Sequence, residues 1–336
     1  MNQLKKQEEK VVSAVIEFAR SIHSDAQAEA CMSVLVEVTS QVPLKNFEYW
    51  ERLIRRVFYL ERGSIAPLKW KFWSKPSEHI KWLDLISWNG FEREQVLREL
   101  SGVAPNAFFF SLALRRLNDW VPKVREAARY KLPLIASETN PQYVVDALCI
   151  ILENWNSWGR IEDIDKQVLL QIISRKEVAD SLKLKLISSS SGPMASLFSQ
   201  LGRTPILDGY LEEIAKSAVQ PSVRARAYRC QFEGRMVWVT GRKWEWTDFR
   251  YCIGQFKPVI SERQIEKSST TVDLLKKSAA DRSSIVRRVS AEFLIKNLEM
   301  LGDEAKGLAE QFAADQSNPV SERGRFALKR LEKINS

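Results

Sequence analysis

The stretch Asn118–Leu132, NDWVPKVREAARYKL, constrains the fold of this chain more than any other. Its pattern is Asp-x-x-x-x-Val-Arg-x-x-Ala-x-x-x-Leu. Asp119 is suited to cap a helix N-terminus and Pro122 to open its first turn. Val124, Ala128 and Leu132 then recur at i, i+4 and i+8 on one face. A small residue in the middle of that face lets a neighbouring helix come close. The same grammar returns at Asp281, Val286, Arg287, Ser290 and Leu294. A third copy, Val223-Arg224-x-x-Ala227, lacks the Asp, and a fourth, Asp315, Val320, Gly324 and Leu328, lacks the Arg. The spacing predicts an all-α chain of antiparallel helix pairs.

These copies resemble the HEAT-like branch of the armadillo/HEAT superfamily, on the strength of Asp119 with Arg125 and Asp281 with Arg287. The resemblance implies an α-solenoid in which these four residues are structural, lying in stacked layers and bonding neighbouring repeats. Such repeats run about 40–47 residues, whereas Val124, Val223, Val286 and Val320 are 99, 63 and 34 residues apart. The first gap is therefore expected to hide degenerate repeats, and the second to carry an insertion. Residues 1–100 show helical patterns without the signature and are assigned to a divergent N-terminal helical cap. Residues 101–336 form the repeats, with a hinge at Ser188–Pro193. The superfamily includes scaffolds, transport and assembly factors and one group of DNA glycosylases, so fold alone does not decide function.

The insertion is the most distinctive segment. Arg235–Thr247 alternates in polarity, and Thr240-Gly241-Arg242-Lys243 reads as a turn. A short β-hairpin near 235–247 is expected, with Met236, Trp238, Trp244 and Trp246 on one face. Packed on the helices these Trp would form a plug. Exposed beside Arg242 and Lys243, they would anchor a partner or stack on bases.

Charge points to acidic partners, because 51 Lys and Arg against 42 Asp and Glu leave the 336-residue chain at +9. Basic residues crowd the second helices. The resemblance would line them along a concave groove suited to a phosphate backbone, unless they are spent on ion pairs with Glu126, Glu292 and Glu322. The residues singled out for partner binding are Arg226, Arg229, Trp238, Arg242, Lys243, Trp244 and Trp246.

Chemistry is sparse. The chain has no GxSxG, GxxxxGK[ST], HExxH or GxGxxG motif. Cys31, Cys149, Cys230 and Cys252 form no CxxC pair and sit beside apolar residues, so free buried thiols are expected. With His23 and His79 the only histidines, no metal site or cofactor is expected. Glu78 and His79 are adjacent on a helix and point to different faces, which argues against a catalytic pair. Trp70, Phe72 and Trp73 suggest a compact irregular connection. No apolar run approaches the roughly 20 residues needed to cross a bilayer. The N-terminus enters an amphipathic pattern directly, and cytoplasmic residence is expected.

The reading is a non-enzymatic scaffold or adaptor that binds a macromolecular partner, first of all a protein, through its concave face and the Trp-rich insertion. A nucleic-acid-binding groove is the alternative. A base-processing enzyme, for which Asp119 beside Trp120 offers an acid and an aromatic, is third.

Overall fold

The computed structural model describes residues 2–22, 25–64, 78–266 and 269–335. Among the described residues, helices make up 73%, with 18 α-helices beside one two-stranded antiparallel sheet. The chain divides into two compact units, Met1–Val178 and Ala179–Ser336. His23 and the Trp70, Phe72 and Trp73 group lie outside the described residues, as do the side chains of Glu78 and His79.

The first unit begins with α1 (Asn2–Ser21), α2 (Asp25–Ser40), α3 (Phe47–Ser64) and α4 (Glu78–Asp84). It continues with α5 (Gly90–Glu99), α6 (Ala107–Arg115), α7 (Pro122–Glu138), α8 (Pro141–Asn154) and α9 (Asp163–Ile173). Local chemistry sets the starts of these helices. The Asn106 side chain accepts the N–H of Phe109 at 3.1 Å, and Asn140 accepts that of Gln142 at 2.9 Å. Pro122 and Pro141 open their helices, where a missing N–H costs nothing. The core runs through α6, whose residues 108–114 are all buried. α7 packs on both α5 and α9, and α6 packs on α8.

The unit boundary falls inside α10 (Lys176–Ser188), and Ser189–Pro193 connects this helix to α11 (Met194–Leu201). Next come α12 (Leu211–Ser217), α13 (Pro221–Glu233), β1 (Arg235–Asp248) and β2 (Ile253–Gln264). The second unit ends with α14 (Thr271–Ala279), α15 (Ser284–Lys296), α16 (Leu298–Leu301), α17 (Asp303–Ala313) and α18 (Asn318–Asn335). α13 packs on α15 and α15 on α18, while α14 packs on α15 and α17. Phe232 and Phe293 stack between α13 and α15, ring centroids 4.4 Å apart. Gly324 lets α18 close on α17, because a Cβ there would run into the backbone of Phe312 and Ala313.

The sheet is longer than the sequence pattern indicates. Residues 240–243 are not a turn: β1 runs straight through them and pairs with β2, a strand the pattern did not reveal. Phe249–Cys252 makes the reversal. Asp248 accepts the Arg250 N–H at 2.9 Å, Cys252 donates to the Phe249 carbonyl, and Cys252 takes a left-handed φ of 53°. Cys252 is accordingly exposed and Cys31 and Cys149 are half-buried, so only Cys230 is the fully buried thiol expected of all four. Burial pushes the Cys230 thiol up to about 12, which keeps it protonated.

An ion-pair ladder and a candidate docking face

The signature residues form a ladder of one repeated geometry. Arg287 donates two bonds to the Asp315 carboxylate, at 2.6 and 2.9 Å, and a third at 2.9 Å to the carbonyl of Asp281, six residues before it. Arg224 makes the same fork onto Asp281, at 2.9 and 2.8 Å, and reaches back to the carbonyl of Ala218 at 2.7 Å. Each Asp in turn accepts the N–H two residues ahead: Asp281 takes that of Ser283 and Asp315 that of Ser317, both at 2.8 Å. One guanidinium therefore ties the loop before its own helix to the loop before the next marked helix, through planar bidentate bonds.

In the first unit Arg93 plays this part. It forks onto Asp119 at 2.9 and 2.7 Å and reaches back to the carbonyl of Ser87 at 2.7 Å. Asp119 is not the side-chain cap of α7. Pro122 has no N–H to give, and Asp119 takes that of Val121 instead, at 2.9 Å. Arg125 donates to the Asp119 carbonyl at 3.0 Å and to Glu162 at 2.8 Å. Arg116 also bonds Asp119 at 3.2 Å and passes the network to Glu51 at 2.7 Å, where Arg55 and Arg115 join. Burial alone would raise the Asp119 carboxyl. The bonds from Arg93 and Val121 and the charge of Arg116 outweigh it and hold Asp119 below the usual range. Burial of Glu51 is likewise outweighed by the charges of Arg116, Arg115 and Arg55.

Several basic side chains of the signature helices are spent inside their own units. Arg129 bonds Asp165 and Glu162 at 2.6 and 2.9 Å, and Arg323 bonds Glu292 at 3.0 Å. Of the partner-binding candidates on α13, Arg229 faces Glu292 at 3.5 Å and Arg226 donates to the hydroxyl of Ser199.

The hairpin behaves differently. Its base is clamped to the second unit. Arg263 donates to the carbonyls of Gly202 and Thr204 at 2.6 and 2.7 Å, and forks onto Asp208 at 2.7 and 2.6 Å. Met236 is buried against Gly202, and Arg203 sits 5.7 Å over the half-buried Trp238 ring. Beyond this base the register slips. Val239 pairs with Ile260 but Gly241 with Val259, leaving Thr240 as a bulge.

That bulge changes which residues share a face. Side chains alternate along a strand and paired residues lie on the same side. Met236 and Trp238 therefore share a side with Ser261 and Arg263, whereas Trp244 and Trp246 share the opposite side with Phe256 and Gly254. The expected single face of Met236, Trp238, Trp244 and Trp246 is split in two. Arg242, opposite Pro258, lies on the Trp244 side, and Lys243, opposite Lys257, on the other.

The Trp244 side is an uncovered apolar stripe of Val239, Trp244, Trp246, Phe256 and Ile260, with Phe256 62% and Trp246 49% exposed. Trp244 meets Trp246 and Phe256 edge to face, at centroid distances of 5.4 and 4.9 Å. Gly254 makes room for this, since a Cβ there would lie 2.6 Å from the Trp244 ring. The other side carries Lys243, Glu245, Gln255 and Lys257, with Lys257 bonded to Glu245 at 2.8 Å.

Among the described residues, no group of three or more His, Cys, Asp and Glu is placed to hold a metal ion, and no helix is long and apolar enough to cross a membrane. No protein-family model, curated protein or solved structure matches the chain.

Proposed function

We propose that this protein is a non-enzymatic HEAT-like repeat adaptor that holds a protein partner on the aromatic face of the β1–β2 hairpin. The observation that carries the proposal is the contrast within the hairpin. A base fixed by Arg263 and Met236 presents a contiguous apolar face to solvent, and a face of that kind marks an interaction surface. The repeat reading is supported by the ladder, whose Arg fork recurs at Arg93, Arg224 and Arg287. A phosphate-binding groove is less favoured, because Arg125, Arg129, Arg224 and Arg287 each spend their charge on a carboxylate. Base processing would need a free acid among exposed aromatics, and Asp119 beside Trp120 is held by two arginines.

The test compares wild type with the triple variant Trp244→Ala, Trp246→Ala and Phe256→Ala in quantitative pull-downs, with melting temperatures matched. A partner recovered by wild type and lost by the variant supports the reading. An identical set of partners for both would sink it. Fluorescence anisotropy on single-stranded DNA and RNA across a salt series runs in parallel. Tight binding whose log affinity falls linearly with log salt, and which the triple variant loses, would assign the face to nucleic acid instead.

A further inference from the structure

Resting on that reading, we propose that the hairpin's partner element is an acidic amphipathic helix, laid along the Trp244 face with a carboxylate against Arg242. Shape argues first. Two strands about 5 Å apart, with their side chains, match the roughly 10 Å width of one helix. The edges of the hairpin are poor templates for an added strand, because β2 carries Pro258 and β1 is bulged twice, at Val239/Gly241 and Trp246/Asp248. The face, not the edge, is the open feature, and a helix on a sheet is a stable way to cover one.

Charge selects the kind of helix. Every hairpin carboxylate has a cation: Glu245 has Lys257, Asp248 has Arg250, and Glu262, at the base, has Arg235. Arg242 makes no ion pair among the described residues, and it stands on the apolar face between Val239 and Trp244. A covering element must bury or neutralise that guanidinium, and a carboxylate does so with bidentate bonds.

The same features argue against other occupants. A second copy would bring another +9 chain and another Arg242 to the contact. A nucleic acid would need several cations on the face and free ring planes. Arg242 is the one cation there beyond the base, aliphatic Val239 and Ile260 interrupt the rings, and the Trp pack edge to face. The hydrocarbon of a membrane would strip water from the open backbone edges of a two-stranded sheet and leave them unpaired.

The probe is a labelled peptide of about 20 residues with Leu at i, i+3, i+4 and i+7 and Glu on the flanks. A twin peptide carries Lys for Glu. Anisotropy with the full chain should show the Glu peptide binding at least tenfold more tightly than the Lys peptide. Arg242→Glu should reverse that order while the melting temperature holds, and Trp244→Ala/Trp246→Ala should abolish both. An order unchanged in Arg242→Glu overturns the acidic-helix proposal, as does tighter, Trp-dependent binding of oligo(dT) or phosphatidylserine vesicles. The adaptor reading fails separately, only if the pull-down shows no dependence on the aromatic face.

Discussion

Gln231 stands where the other signature copies place Leu: Leu132, Leu294 and Leu328 lie thirteen residues after Asp119, Asp281 and Asp315, and Gln231 thirteen after Ala218. It is buried. Its amide nitrogen reaches the carbonyls of Leu211 and Ala227 at 3.4 and 3.3 Å, and its amide oxygen has no partner among the described residues. A buried unpaired acceptor costs about 1–3 kcal/mol, more than two long bonds return. Gln231→Leu is therefore expected to raise unfolding stability by about 1 kcal/mol, read as a higher urea midpoint at constant m. A lower midpoint would mean that the amide has a structural role. Cys252 is a second residue whose state no motif announced. Its left-handed φ and its exposure both follow from the turn that β2 creates.

The elements are held by the ladder, and two of its Arg–Asp pairs are deeply buried: Arg93 with Asp119, and Arg224 with Asp281, the latter 1% and 8% exposed at the side chain. Removing one partner strands the other charge and costs about 3–5 kcal/mol, whereas an apolar pair of the same volume is far less costly. Arg224→Met and Asp281→Leu are each expected to destabilise by about that amount, and the double variant by clearly less than the sum. Additive losses in the double-mutant cycle would show that the fork carries no coupling. A further copy of this device lacks the full signature. Ser87, Arg93 and Leu100 keep the spacing, but Glu92 occupies the Val position and Ser87 that of the Asp. Arg93 nonetheless makes the same fork, because the fork needs only an Arg six residues after a loop carbonyl and an Asp in the next loop. The hairpin failed differently. Alternation is legible over Arg235–Thr247, but a bulge is a property of the pair, so reading one strand puts Trp238 and Trp244 on the same face.

At the scale of the molecule, buried and half-buried carboxylates bias the pH dependence in two opposed directions. Burial, with the charge of Glu92 adding to it against Arg62, pushes Asp84 up to about 7. The folded state thus holds that proton more tightly than the unfolded chain, where Asp titrates near 4. Its contribution to stability is complete below about pH 4 and is lost as the pH rises to about 7. Asp119, Glu51 and Asp315 are depressed, so their contributions are present at neutral pH and are lost as the pH falls through and below the ordinary carboxylate range. Asp84→Asn is expected to gain stability over wild type at pH 8 and little at pH 4, as urea melts at the two values would show. A constant gain would detach the effect from titration. Sequence alone determined the helical class, the small residues of the signature and those ladder groups that carry it, because those depend on residues a few places apart. Tertiary structure decided which Arg meets which Asp, where β1 finds its partner and which Trp face solvent. Those outcomes depend on pairing between distant segments, and a single bulge there reverses the side that every later residue presents.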